Sequence, residues 1–267
     1  MKGLANLIAI ALAVAVPAGS PCATEISGNV VADTTWAVGG SPYVVVGDVR
    51  VKGASTLSID PGVEVRFDGA YEIYVEGGSS LVAEGTPSAR IVFTSNAPSP
   101  TPTDWKNVFI FDSPSSSFRH CVFEYAAKGL YLNNSSPPIE RCRFSSCQIG
   151  IWCHASSPAI TGSEIVDSSS VGIFCLYSSS VPTVNDCNLE GNATASVYLS
   201  SYNVLPVVTI DATGNWWGTD DPAEIGAAIY DNEDKESIFG VVDYADWLTA
   251  PGVEASSWGS IKALFRE

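Results

Sequence analysis

Two histidines, seven cysteines and a scatter of carboxylates and arginines are the side chains of this sequence equipped for chemistry. Glycoside cleavage asks for two carboxylates flanking the scissile bond. Between positions 108 and 199 the acids are Asp112, Glu124, Glu140, Glu164, Asp167, Asp186 and Glu190, and none falls in a doublet on one strand face. His120 and His154 belong to no Ser-His-Asp order, no HExxH run and no phosphate loop. Cys147 has no convincing His partner, and no Cys/His set has zinc spacing. Arg119, Arg141 and Arg143 gather near Glu140, which reads as surface ion pairing before it reads as a basic catalytic group. The reading assigns no catalytic residue and no metal ligand.

A different constellation is better formed. Tyr74, Phe109, Tyr131, Trp152, Phe174 and Tyr198 each stand between two apolar residues. In a strand, alternate side chains face opposite ways, so apolar neighbours pointing inward turn each ring outward. Rings exposed in a line about 4.8 Å apart suit the flat faces of sugars. The competing reading is that they stack on one another and only stabilise the scaffold. These six are the candidate ligand-binding residues.

Placing six rings in a line requires a repeat, and the sequence has one. Phe118-x-x-Cys121-x-Phe123 is followed by Ile139-x-x-Cys142-x-Phe144, Ile160-x-x-Ser163-x-Ile165 and Val184-x-x-Cys187-x-Leu189, at offsets of 21, 21 and 24 residues. A second frame runs beside it: Gly129-Leu-Tyr-Leu132, Gly150-Ile-Trp-Cys153, Gly172-Ile-Phe-Cys175 and, with Ser in place of Gly, Ser196-Val-Tyr-Leu199. Apolar and polar residues alternate over three to five positions, which is strand periodicity, and Ser-, Asn- and Pro-rich turns separate the runs. Val49-x-Val51, Leu57-x-Ile59 and Val63-x-Val65-x-Phe67 form an earlier coil, and Ile73-x-Val75, Leu81-x-Ala83 and Ile91-x-Phe93 another. Short strands at this period make a solenoid whose coils satisfy each other's edges. The expected fold is all-β, a single right-handed parallel β-helix of about seven coils between positions 44 and 210.

The cysteines fit the repeat. Cys121, Cys142 and Cys187 share one inward position, and Cys153 and Cys175 share another that Leu132 and Leu199 fill in adjacent coils. Exchange of Cys with Leu indicates packing, where Cys acts as a small hydrophobe. Buried thiols are expected, with at most one bridge. His120, one residue before Cys121, is expected to point outward from a strand.

On these residues the chain resembles the secreted bacterial right-handed parallel β-helix repeat proteins, related in fold to pectate lyases. The resemblance rests on Thr56-Leu-Ser-Ile-Asp-Pro-Gly-Val-Glu-Val65, Ala83-Glu-Gly-Thr86, Ile91-Val-Phe-Thr94, Asp104-Trp105, the Gly-Ile repeats, Asn215-Trp-Trp-Gly218 and Val242-Asp-Tyr244. It covers nearly all of the mature chain and specifies a fold rather than a reaction, since this fold hosts many functions. Lyases of the fold use Ca²⁺-binding carboxylates with an Arg or Lys, and related hydrolases use clustered Asp. The resemblance therefore implies, as an alternative function, a polysaccharide lyase or glycoside hydrolase.

Around the solenoid the expected organisation is a signal peptide at 1–23, an N-terminal cap at 24–47, the β-helix at 48–211, a C-terminal cap and acidic segment at 212–250, and a tail helix at 251–267. Lys2, an apolar run over 7–16 and small residues after it describe an export signal cleaved after Ala18 or Ala23. The run is too short to anchor in a bilayer, so the mature chain is expected to have no transmembrane segment. Losing Lys2 from 13 bases leaves 12 against 29 acids, a net charge of -17. That disfavours nucleic acid, which needs clustered cations. The acids of 212–250 are of the kind that hold Ca²⁺, yet their spacing matches no EF-hand, and a solvated acidic face without a cofactor is expected. Trp216 and Trp217 are expected to close the C-terminal end of the core, and Trp258, Ile261, Leu264 and Phe265 to share one face of the tail helix. The functional expectation is a secreted or cell-surface, non-catalytic protein whose partner is an extracellular polysaccharide or another cell-surface component, bound along the aromatic row.

Overall fold

The computed structural model describes residues 23–113 and 115–251. The export signal before Ala23 and the tail helix beyond Pro251 lie outside the described residues. The rest is a stack of coils, each turning through three short strands.

Three parallel sheets result. The first holds the start of β3 (Tyr43–Val51), then β5 (Glu64–Phe67), β8 (Ile91–Ser95), β11 (Cys121–Glu124), β14 (Arg143–Ser145) and β17 (Glu164–Val166). The second holds the end of β3, then β6 (Glu72–Val75), β9 (Asn107–Phe111), β12 (Lys128–Asn133), β15 (Ile149–His154), β18 (Val171–Leu176), β20 (Ala195–Ser200) and β22 (Ile229–Tyr230). The third runs β2 (Thr34–Trp36), β4 (Thr56–Ile59), β7 (Ser80–Glu84), β10 (Ser117–Arg119), β13 (Ile139–Glu140), β16 (Ala159–Thr161), β19 (Thr183–Asn185), β21 (Val208–Asp211) and β23 (Gly240–Asp243). β1 (Thr24–Val30) lies along β3 in parallel register. The fold is the all-β parallel β-helix that the period of the sequence requires, and from β3 to β20 the second sheet counts seven strands.

Alternation sorts the side chains. Ile73 and Val75 are buried around a half-buried Tyr74, and Ile151 and Cys153 around a half-buried Trp152. Inside, equivalent residues stack coil on coil. Phe93, Phe123 and Phe144 lie parallel at 4.7 and 4.8 Å, and Phe67 covers Trp105 at 4.1 Å. Spacings near 4.8 Å are the rise from one coil to the next.

The corners carry the unusual backbone. His120, Arg141 and Asp186 have φ of 47°, 52° and 55°, directly before Cys121, Cys142 and Cys187. Asp112, Asn134 and Ala155 have φ of 52°, 50° and 48°, directly before Ser113, Ser135 and Ser156. Left-handed backbone is costly without glycine. It recurs because the side chain that follows it completes the coil-to-coil bonding. The Cys142 N–H donates to Ser163 Oγ (3.1 Å), Ser163 N–H to Cys187 Sγ (3.4 Å) and Cys187 N–H to Asn215 Oδ1 (2.8 Å). At the second corner, Ser113 N–H donates to Ser135 Oγ (2.9 Å) and Ser135 N–H to Ser156 Oγ (3.1 Å). These small side chains satisfy buried amides where the ladder is interrupted.

His120 corrects the sequence expectation. It occupies a corner rather than a strand and is buried, at 8% exposure. The alternation rule does not apply to a residue whose backbone has turned left-handed.

The six described cysteines are free and buried. Cys153 stands in register with Leu132 on one side and Cys175 on the other, and Cys175 with Leu199.

The Gly-Ile frame has a steric cause. A Cβ on Gly150 would sit 2.8 Å from the Gly172 carbonyl oxygen and 2.9 Å from Ile165 Cγ2. Gly150→Ala should therefore cost about 1–3 kcal/mol, as overpacked cores do. Urea denaturation checks this; an unchanged midpoint would show that the first and second sheets part freely at this corner.

Strands also occur in the two stretches expected to act as caps. Trp36 stacks on Tyr43 at 5.0 Å, both buried. At the other end Trp217 enters the core, while Trp216 faces outward and donates from Nε1 to Glu190 Oε2 at 3.0 Å. The chain then forms helix α1 (Pro222–Ala227), whose Asp221 accepts the Ala223 N–H, before β22 and β23 extend the second and third sheets. In the acidic segment Asp231 is buried and accepts the N–H groups of Glu233 and Val242. Among the described residues no group of three or more His, Cys, Asp or Glu is placed to hold a metal ion.

Candidate functional site

The second sheet places all six candidate rings in one register row. Tyr74 pairs with Phe109, Phe109 with Tyr131, Tyr131 with Trp152, Trp152 with Phe174, and Phe174 with Tyr198. Ring centroids follow at 4.9, 4.3, 5.9, 4.1 and 5.3 Å. Each ring is half-buried, outside the core and covered in part by its neighbours. The mutual stacking weighed against ligand binding is thus present, and it leaves part of each ring open.

Sequence reasoning missed both ends of the row. Arg50 is in register with Tyr74 and lies over its ring at 5.1 Å. Its position in Val49-x-Val51 is equivalent to that of the rings, so the frame could have located it. Tyr230 pairs with Tyr198 and stacks on it at 4.3 Å. It follows α1, which interrupts the repeat and hid it.

Polar groups border the rings at mid-ladder. Lys128 Nζ lies 5.2 Å from the centroid of Tyr131 and 5.0 Å from that of Trp152, within cation–π reach of both. Burial lowers the Lys128 pKa, against the pull of Glu72, and burial raises that of Tyr131. Asn133 and His154 sit in the next outward row, in register with each other and with Phe111. His154 packs on Tyr177 at 5.3 Å, and Tyr177 is 45% exposed. Trp152 Nε1 and His154 Nδ1 are both enclosed without a hydrogen-bond partner. Partly open aromatic faces in a row, bordered by the Lys128 ammonium, are the kind of surface on which flat ligand faces stack.

A second polar cluster lies at the corner between the third and first sheets. Arg119 pairs with Glu140 at 2.8 Å, Arg143 with Glu164, and Arg90 Nη1 donates to the Arg141 carbonyl at 3.2 Å. Burial foremost, then Arg90, Arg141 and Arg119, hold the His120 pKa below its ordinary value. Arg119 and Arg143 are thus paired with acids, while Arg141 contributes its backbone carbonyl to Arg90.

Three parallel sheets with a continuous outward ring row on the second define a parallel β-helix protein carrying an aromatic ladder. Residues 48–215, more than half of the chain, match the family described as right handed beta helix region, and the chain belongs to it. Comparison with curated proteins and with solved structures gave no match. No helix among the described residues is long and apolar enough to cross a membrane.

Proposed function

We propose that this protein is exported, acts in the secreted or cell-surface space, and binds an extracellular polysaccharide or another surface component along the aromatic ladder without transforming it. The observation that carries this reading is the unbroken register from Arg50 to Tyr230, with the rings half-open and Lys128 over two of them. The net charge favours a neutral glycan over a polyanion.

Trp152→Ala is expected to weaken retention on an insoluble polysaccharide about tenfold, a loss of ~1.4 kcal/mol, within the range for truncating an aromatic anchor. The melting temperature should move little, because Trp152 lies outside the core. Equal retention of both proteins on every polymer tested removes this face as the site. The same polymers, incubated with and without Ca²⁺, should yield no new reducing or unsaturated ends; their appearance would favour the lyase or hydrolase alternative.

A further inference from the structure

The first sheet carries an outward strip that is nonetheless buried. In β11, β14 and β17 the core residues are Phe123, Phe144 and Ile165, so Val122, Ser145 and Val166 face the other way. Their exposures are only 2%, 4% and 3%. Glu164 and Asn188, in the same outward rows, are at 7% and 8%. Earlier in the stack the equivalent positions hold Glu64, Arg66, Val92 and Thr94, all half-buried. The rings of the second sheet are half-buried as well. Glu124 and Arg143, in the same rows, are half-buried, and part of the cover is their own: Arg143 donates to Glu164 and Ser145, and Ser145 donates to Glu124. The apolar Val122 and Val166 at either side of these bonds are nonetheless as enclosed as core residues, so the strip is a covered surface. Among the described residues, the elements packed on β11, β14 and β17 are chiefly their stacking neighbours and the adjoining β15 and β18.

The chain itself leaves the solenoid beside this strip. The Leu248 N–H donates to the Asn215 carbonyl at 2.8 Å. Asn215 adjoins Trp216, which continues the strip one coil past Asn188. Residues 252–267 follow, with Trp258, Ile261, Leu264 and Phe265 at helical spacing. From Trp216 through Asn188, Glu164 and Arg143 to Val122 is four coil steps, about 19 Å. Ten helical residues span about 15 Å, and the five residues before them reach the remainder. At the far end of that path stand Arg90 and Arg119, and the apolar run of the tail is followed by Arg266 and then Glu267.

We propose that the outward strip of β11, β14 and β17 is the docking surface for the protein's own segment 257–266, lying as an amphipathic helix over Val122 and Val166 with Glu267 toward the arginine corner. This occupant covers the first sheet and leaves the aromatic ladder of the second sheet open, so it stands or falls independently of the binding reading.

A nitroxide attached to an Ala263→Cys variant of the full chain tests the proposal, read by nuclear magnetic resonance. The expected result is strong broadening of the amide signals of Val122, Arg143 and Val166, lost when Ile261→Asp and Leu264→Asp are added. Because these changes lie in the tail, the solenoid remains folded to report on them. Absence of broadening, or broadening centred on β12 and β15, overturns the proposal. So does broadening that appears only when a spin-labelled chain is mixed with a separate isotope-labelled one, since the occupant would then be a second copy.

Discussion

Phe123→Ala should lower stability by about 4 kcal/mol, in the middle of the range for removing a buried aromatic ring. Phe123 lies between Phe93 and Phe144 at 4.7 and 4.8 Å, with Phe118 edge-on at 6.0 Å. It is fully buried. Its stacking neighbours are fixed by the coil rise and cannot collapse into the void without breaking strand register. The loss therefore includes the cavity as well as the transfer of the ring. Phe109→Ala is the control, since that ring is half-buried on the outer face and should cost much less. In a solenoid each coil leans only on its neighbours, so the damage should appear as a separated unfolding step for the central coils rather than as a uniform shift. Urea titration followed by circular dichroism and by hydrogen exchange reads both features. Equal destabilisation by the two substitutions would sink the assignment of inner and outer faces.

That assignment came from period-two alternation, which is why it was legible in sequence. Tyr74, Phe109, Tyr131, Trp152, Phe174 and Tyr198 stand between buried neighbours, and a one-residue error in register would have sent all six inward. The corners were not legible. His120 follows an apparently regular strand, but β10 ends at Arg119 and β11 begins at Cys121. A single left-handed residue makes the turn without any glycine or proline to mark it. Asn215 likewise extends the Cys121, Cys142, Ser163 and Cys187 column through a side-chain amide rather than a thiol or hydroxyl, so its type gave no sign of shared position. Tyr230 and Val242 continue two sheets after α1, where spacing alone could not carry the frame. For the candidate site the consequence is specific. The rings could be read from their neighbours, whereas Lys128, at the start of β12 outside the Gly-Ile frame, and Tyr177, at the corner after β18, could not.

The thiols give the other large effect. Burial pushes Cys147 and Cys187 up to about 12, from an ordinary value of 9.0. Cys153 is raised too, first through its hydrogen bond with Cys175 and then by burial, and burial raises Cys121 beside Cys142. Only the thiolate attacks an alkylating reagent or a disulfide. At pH 9 an ordinary thiol is half ionised, while one titrating near 12 is ionised to about one part in a thousand, so native labelling of Cys147 and Cys187 should be slowed roughly five-hundredfold. Fewer than one of the six described thiols per chain should react in the folded protein. Denaturant without reductant should release all six, Cys121, Cys142, Cys147, Cys153, Cys175 and Cys187; recovery of fewer than four would mean that bridges dominate. The same shifts fix the sign of the pH dependence. The unfolded chain gives up its thiol protons first, so the folded state binds more protons, and stability falls as pH rises from about 9 to about 12. Cys153→Leu should remove part of that alkaline loss while costing little at neutral pH. Leu132 and Leu199 already occupy this inward column one coil on either side of the Cys153–Cys175 pair, and a residue kept there for packing alone has no use for its sulfur.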